Sequence, residues 1–446
     1  MSVLYRVYCR VYQQIFRLAA NFLPWRKPEI VESVEGLAAL LQTSKVSRVL
    51  LVTDAGILRV GLDQVLVTTL ERHEIEVVCY GDTEPNPTIA NIEEARALYL
   101  EKDCQALIAL GGGSPIDCAK GVGVRLARPR KQIPQLRGQL KVLHRLPLLV
   151  AIPTTAGTGS ETTLAAVIKD PTTGEKYAIN DPSLIPRYAL LDPRFTQSLP
   201  PHITAATGLD ALTHAVEAYI GQENTLTTRT DALSATALVF ENLKTAYEQG
   251  DDLEARRNMQ QAAFLAGAAF TRAYVGYVHA LAHQLGGMYG TPHGLANAVL
   301  LPYVLEAYGA PAERALAEMA VVTDVVDPPG VEEATLARIF RRMTAAQRRE
   351  YAHAFIAAIR QLSDELNIPR QLPELKEADI PLLTKRAFRE ANPLYPVPRI
   401  MDAPELEALY RKILVTGSVD EDAAEGGDEG KSAGTDEEAE QTGEQA

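Results

Sequence analysis

Cysteine is scarce in this chain, with only Cys9, Cys79, Cys104 and Cys118 among 446 residues. Their spacing suits neither a disulfide framework nor the paired ligands of a structural zinc site. No apolar run reaches the ~18 residues of a bilayer-spanning helix, and no short apolar stretch leads to a small-residue cleavage site. No internal repeat is visible. With 46% hydrophobic residues, the chain reads as an ordinary globular protein with room for two domains, expected in the reducing cytoplasm. Basic residues cluster only near the N-terminus, which gives no support to nucleic-acid binding. The formal net charge of −13 arises mostly in the tail from Ser418 onward. That tail is rich in Gly, Ala, Asp and Glu, has Lys431 as its only base and no aromatic residue, and reads as disordered.

Histidine is also sparse, at eight residues, so its grouping is informative. Asp210 and His214 lie four apart, as do His279 and His283, and His293 follows within Thr-Pro-His-Gly. Both pairs fall in stretches of helical periodicity, where i and i+4 side chains share a face. Two helices and a following loop can therefore converge on one ion. Carboxylate and neutral imidazole suit iron, zinc or manganese better than calcium or magnesium. Imidazoles in such Ala- and Leu-rich helices also need a partner to offset their burial.

Two further segments suit a dinucleotide. Ala106 to Leu110 reads as a short strand running through Gly111, Gly112 and Gly113 into a helix, where close backbone approach and free N–H groups attract phosphate. Ser114 is the expected N-cap, Pro115 the first helical residue and Asp117 the capping-box acid. The same features describe a capped turn without a ligand, and Ile116 breaks the plain G-x-G-x-x-G fingerprint. The hydroxyl-rich segment from Ala151 to Thr163 follows another apolar run and fits pyrophosphate, ribose or amide contacts, or else a solvated turn. Asp54 ends a strand and is placed to accept from a ribose hydroxyl or to cap a helix. An acid there favours NAD over NADP.

Gly-Gly-Gly-Ser-Pro-Ile-Asp, Pro-Thr-Thr-Ala-Gly-Thr-Gly-Ser-Glu, Gly-Leu-Asp-Ala-Leu-Thr-His and His-Ala-Leu-Ala-His with Thr-Pro-His-Gly occur in this order. Together they resemble the iron-containing (group III) alcohol dehydrogenases, over roughly residues 30 to 416. The resemblance implies an α/β N-terminal dinucleotide-binding domain and an all-α C-terminal domain, the fold shared with dehydroquinate synthase, with cofactor and metal in the cleft between them. It implies Asp210, His214, His279 and His293 as ligands of Fe2+ (alternatively Zn2+), and His283 as a proton-relay group near the nicotinamide. The implied NAD contacts are Asp54, Gly112, Gly113, Ser114, Asp117, Thr154, Thr155, Thr158, Thr163 and Lys176, the last after a hairpin turn read at Asp170 to Gly174. The reaction implied is hydride transfer between an alcohol and NAD, with the alkoxide held on the metal and aldehyde or ketone as the reverse substrate. A homodimer is also implied. A dehydroquinate-synthase-type lyase, whose hydride moves out and back, and a non-catalytic, membrane-associated relative are the alternatives. Tyr303 stands where many relatives carry histidine, and Tyr274 and Tyr277 replace smaller or polar residues, narrowing the cleft if they face it.

The expected layout is a basic amphipathic helix over 1–29, an α/β NAD-binding domain over 30–198, a helical metal-binding domain over 199–417 and the acidic tail over 418–446. Strands are predicted at Val49–Thr53, Ile75–Tyr80, Ala106–Leu110 and Leu146–Ile152, and long helices at Ala232–Tyr247, Arg256–Thr271 and Ala334–Leu366. Residues 1–27 carry Arg6, Arg10, Arg17, Arg26 and Lys27 and no acid. Leu4, Tyr8, Val11, Ile15, Leu18 and Phe22 form an apolar stripe, widened by Tyr5, Tyr12, Phe16 and Trp25. Such a helix suits a membrane surface, its own protein, a second subunit or a cleaved transit peptide.

Overall fold

A computed structural model of the protein describes residues 1–20, 22–171, 176–327 and 340–415. The tail from Ser418 and most of the turn between Asp170 and Gly174 lie outside the described residues. The β-branched and aliphatic runs of the first half form β1 (Glu29–Val31), β2 (Arg48–Val52), β3 (Glu76–Tyr80), β4 (Ala106–Gly111), β5 (Gly138–Gln139), β6 (Leu148–Pro153), β7 (Ala165–Lys169), β8 (Lys176–Asn180) and β9 (Tyr188–Leu190). The helices of this half are α1 (Val3–Ala20), α2 (Val34–Thr43), α3 (Ala55–Arg59), α4 (Gln64–Arg72), α5 (Ile89–Glu101) and α6 (Gly113–Ala127).

One sheet runs in the order β1-β9-β6-β4-β2-β3 with every neighbour parallel. A parallel sheet covered on both faces needs strands that are apolar on both sides, and every residue of β4 is buried. Parallel registry also aligns strand ends: Leu110 pairs with Ile152 and Gly111 with Pro153. The loops after β2, β4 and β6, which carry Asp54, the glycine turn and Thr154 to Thr163, therefore emerge along one edge of the sheet, where α/β folds bind ligands. A smaller sheet, β5-β8-β7, contains the antiparallel β7–β8 pair.

From Pro201 the chain is helical: α7 (Pro201–Ile220), α8 (Leu226–Glu248), α9 (Leu253–Ala273), α10 (Tyr277–Tyr289), α11 (His293–Tyr308) and α12 (Ala310–Val322), then helices Ala345–Glu365, Ile380–Ala391 and Ala403–Lys412. Pro201 opens α7 at a position where a missing N–H costs nothing. The single helix expected over Ala334–Leu366 is corrected. Residues 334–339 lie outside the described residues, and a new helix starts after Thr344, whose hydroxyl accepts from Gln347 N while Thr344 N donates back to Gln347 Oε1. That reciprocal cap satisfies first-turn donors that a continuous helix would not expose.

Helix α1 lies on the helical half of its own chain through one flank of its apolar face rather than through the stripe from Leu4 to Leu18. Cys9 and Gln13 are buried. Gln13 donates to the carbonyls of Pro393 and Tyr395, and Arg10 to those of Val397 and Pro398. Tyr5 stacks on Phe388, and Phe16 meets Tyr274 edge-on. The apolar stripe points outward. Among the described residues, no helix is long and apolar enough to cross a membrane.

Small residues set how closely the two halves meet. Gly159, at φ 59°, abuts Gly267 of α9, where a Cβ would lie 2.2 Å from Thr162 Oγ1 and 2.8 Å from Gly159 O. The hydroxyl-rich loop thus rests directly on the α9 backbone. Gly267→Ala is expected to cost about 1–3 kcal/mol of stability through overpacking, read as a lowered denaturation midpoint; an unchanged midpoint would show that the contact yields freely.

Candidate metal centre and cofactor cleft

Helix α7 is buried along most of its length, which brings Asp210 and His214 on one face to the molecule's interior. Helix α10 adds His279, and α11 opens with His293. One ligand-capable atom from each of the four lies within 4.8 Å of all the others. Asp210 Oδ1 is 3.5 Å from His293 Nε2 and 4.0 Å from both His279 Nε2 and His214 Nδ1. Burial lowers the proton affinity of all three rings, and neighbouring imidazoles lower it further: His293 falls to about 4 and His279 lies well below the ordinary value. These are neutral imidazoles facing one carboxylate, the donor set that suits a divalent transition metal. His214 Nδ1 is buried without a hydrogen-bond partner among the described residues. A cation held by this group would satisfy an atom that is otherwise costly to bury.

Two residues the sequence reading missed complete the surroundings. Buried Glu217, three residues after His214, accepts from Gly276 N at 2.7 Å, Val278 N at 2.8 Å and His279 Nδ1 at 2.6 Å. Burial raises its carboxyl to about 7 against the pull of those donors. With Nδ1–H committed to Glu217, His279 presents the Nε2 lone pair to the cluster, which is how an outer carboxylate orients a ligating imidazole. Asn297, one turn after His293, places Nδ2 2.7 Å from Asp210 Oδ1, 3.2 Å from His279 Nε2 and 3.1 Å from His293 Nε2. Their i+3 and i+4 offsets from predicted ligands were the available signal. Phe270 stacks on His214 with centroids 4.2 Å apart and walls off one side.

His283 stands beside the cluster, its ring stacked on that of His293 at 5.2 Å. Its Nδ1 is 2.6 Å from Glu390 Oε1. Surrounding protein works to lower its pKa, but the charge and hydrogen bond of Glu390, with Asp210 and Glu217, raise it overall. Tyr274 and Tyr277 do not narrow the cleft by this route: Tyr274 meets Phe16, and the fully buried Tyr277 hydroxyl lies between Asn392 and Met401. Tyr303 sits under Arg360 and Lys412.

The glycine turn and the hydroxyl loop come together. A Cβ on Gly112 would lie 3.4 Å from the Thr155 methyl, and one on Gly113 would lie 3.6 Å from that of Thr158. Thr154 N donates to Gly111 O. The expected capping is corrected here: α6 begins at Gly113, and Gly112 is its N-cap without a side-chain bond. Ser114 Oγ instead accepts from Asn86 N, and Asp117 accepts from Ser160 Oγ and Val167 N. Glycine lets the helix start earlier than the Ser-Pro pair suggested, and first-turn N–H groups remain for an anion. Thr155 Oγ1 is buried without a partner among the described residues, which also fits a ligand at this turn. Asp54 Oδ1 caps α3, accepting from Gly56 N and Ile57 N. Thr163 faces inward, its hydroxyl 2.7 Å from the Nζ of fully buried Lys120, while Lys176 is exposed at the start of β8 opposite Lys169.

Glu217→Gln is expected to weaken iron binding on the order of 10–100-fold with the fold intact, read by metal titration and circular dichroism. Unaltered affinity would remove Glu217 from the support of the centre.

Residues 31–193 match the family model described as iron-containing alcohol dehydrogenase, and 204–414 match that of the Fe-containing alcohol dehydrogenase family, C-terminal. The chain is 37% identical over 369 residues to 1,3-propanediol dehydrogenase of Klebsiella pneumoniae, covering 82% of this chain and 91% of that one. It is 40% identical over 383 residues to alcohol dehydrogenase 4 of Schizosaccharomyces pombe, covering 84% and 85%. A solved 1,3-propanediol oxidoreductase superposes with TM-score 0.80 at 33% identity, over 88% of this chain and all of that one. An alcohol dehydrogenase from Oenococcus oeni also reaches 0.80, at 31% identity and 88% coverage of this chain. Sequence match across both halves, at this identity and with the same fold, places the chain in the iron-containing alcohol dehydrogenase family.

Proposed function

We propose that this protein is a metal-dependent alcohol dehydrogenase that exchanges a hydride between an alcohol and NAD, with iron held by Asp210, His214, His279 and His293. The observation that carries the reading is the convergence of one carboxylate and three neutral imidazoles within 4.8 Å. A bound divalent ion supplies Lewis-acid polarisation of the substrate oxygen. The chain's own groups do the rest. Glu217 orients His279, Phe270 shields His214 from water, and the Gly112–Gly113 turn with Thr154, Thr155 and Thr158 seats the cofactor phosphates. The hydride carries its electron pair to NAD, and the hydroxyl proton leaves through His283, whose Nδ1 is held by Glu390. Asp117 and Thr163 act through the scaffold around Lys120 in this reading, and Asp54 combines its capping role with a ribose contact through Oδ2. Residues 30–198 form the cofactor-binding part and those from 199 the metal-binding part.

Small alcohols and their aldehydes are the substrate class, since relatives are named for 1,3-propanediol, methanol and choline. A homodimer belongs to the proposal, supported by the outer edge of β1, where Ile30 is half-exposed. A cytoplasmic location is supported by four free thiols, three of them buried. Peripheral membrane contact also belongs to the proposal, supported by the exposed apolar stripe of α1.

The test is NADH formation from a panel of primary alcohols, diols and hydroxy acids after stripping the metal and restoring iron or zinc anaerobically. Metal-dependent NADH formation is expected, and its absence across the panel with metal bound would overturn the dehydrogenase reading. His279→Ala is expected to lose metal and turnover while still binding NAD. Retained metal in that variant would refute the ligand set.

A further inference from the structure

Helix α1 is held by the flank that carries Tyr5 and Phe16, with Cys9 and Gln13, and not by the stripe from Leu4 to Leu18. Taken at 100° per residue, Tyr5, Cys9, Gln13 and Phe16 share the inward side, while Leu4, Tyr8, Val11, Ile15 and Leu18 lie roughly opposite. The outward side chains are open: Leu4 is 82% exposed, Ile15 63%, Leu18 65% and, just beyond the helix, Phe22 89%. The stripe from Leu4 to Leu18 runs for about 20 Å. A contiguous apolar strip of this kind marks an interaction surface. Because Gln13 and Arg10 fasten the other side through side-chain bonds to backbone carbonyls, the helix can present its apolar side outward without leaving the protein.

Charge around the strip decides between occupants. Most cations of the N-terminal segment are turned to the chain itself: Arg10 to Val397 and Pro398, Arg17 towards Glu223, Arg26 to Ile185 and Pro186, and Lys27 to Asp231. Nearby acids are also engaged, Asp402 by the N-terminal amine, Glu223 by Arg17 and Glu390 by His283 and Gln284. Arg6 on α1 remains exposed, as do Lys385, Arg386 and Arg389 on helix Ile380–Ala391, and none of the four has an ion pair among the described residues. That second helix abuts α1 where Phe388 stacks on Tyr5, and Lys385 is one turn before Phe388 on its side of the helix. Leu382 on the same helix is 44% exposed. A two-fold pairing of two copies would set this cationic rim against itself. A layer of anionic headgroups over acyl chains accepts both the cations and the aliphatic and aromatic stripe.

We propose that α1, with the adjoining Arg6, Lys385, Arg386 and Arg389, docks the folded enzyme on an anionic lipid surface. The proposal stands independently of the dehydrogenase reading.

The experiment is flotation of the full-length protein with phosphatidylcholine vesicles, with and without phosphatidylserine, at low and high salt. Flotation with the phosphatidylserine vesicles is expected, weakened by salt. It should be lost in Ile15→Glu/Leu18→Glu and reduced in Lys385→Glu/Arg386→Glu, with circular dichroism and molecular mass by light scattering unchanged in both. These substitutions lie on solvent-facing positions, and circular dichroism checks that the fold is kept. Failure of the unaltered protein to float, or equal flotation of the variants, would overturn the proposal. A lower molecular mass in Ile15→Glu/Leu18→Glu would also overturn it and give the stripe to a second copy.

Discussion

The contact between the buried carboxylate of Glu217 and His279 Nδ1 organises the centre of this molecule. A carboxylate that far from water is expensive unless its oxygens are filled. The chain fills them with the His279 ring and with two backbone N–H groups, from Gly276 and Val278, at the start of α10. To deliver those N–H groups the chain must break between α9 and α10, and Tyr274 takes φ 65° to do so. Gly276 is then required, because a Cβ there would lie 2.7 Å from Glu217 Oε1. One acid on α7 thus determines where α9 ends, where α10 begins and which nitrogen of His279 faces Asp210, His214 and His293.

Cofactor cleft and metal cluster also share a support. The Gly157 turn rests against Thr207, where a Cβ would lie 2.4 Å from the carbonyl oxygen, and Gly294 at the start of α11 rests against Ala206 in the same way at 2.3 Å. Both contacts fall on one stretch of α7, immediately before Asp210. The hydroxyl-rich loop and the helix bearing His293 are therefore indexed to the same backbone. Their separation is set by close packing between main chains rather than by flexible side chains.

Much of this was legible in the chain. Four-residue spacing revealed the shared faces of Asp210 with His214 and of His279 with His283, and the apolar runs located β2, β3, β4 and β6 within a residue or two. What stayed hidden depended on partners distant in sequence. Glu217 looks like any helical acid until Gly276 and Val278 are folded against it. Lys120 looks like a solvated helix residue, yet it is fully buried, its Nζ bonded to the carbonyls of Ser160, Thr163 and Ala165. Burial lowers its pKa to about 8. Local rules make Ser114 a cap, and they carry no sign that Asn86 N donates to its hydroxyl instead. Periodicity revealed that α1 has two unlike faces but carried no information about which one the body would take.

The position of α1 bears on biosynthesis. Its Arg10 bonds to Val397, 387 residues further along the chain. At about 5–20 residues added per second, roughly 20 to 80 s separate the emergence of the helix from that of its dock. The sheet waits as well, since β1 finds its neighbour only when β9 has been made. A helix forms from local contacts far faster than this, so the first element of the chain to take shape is among the last to take its place.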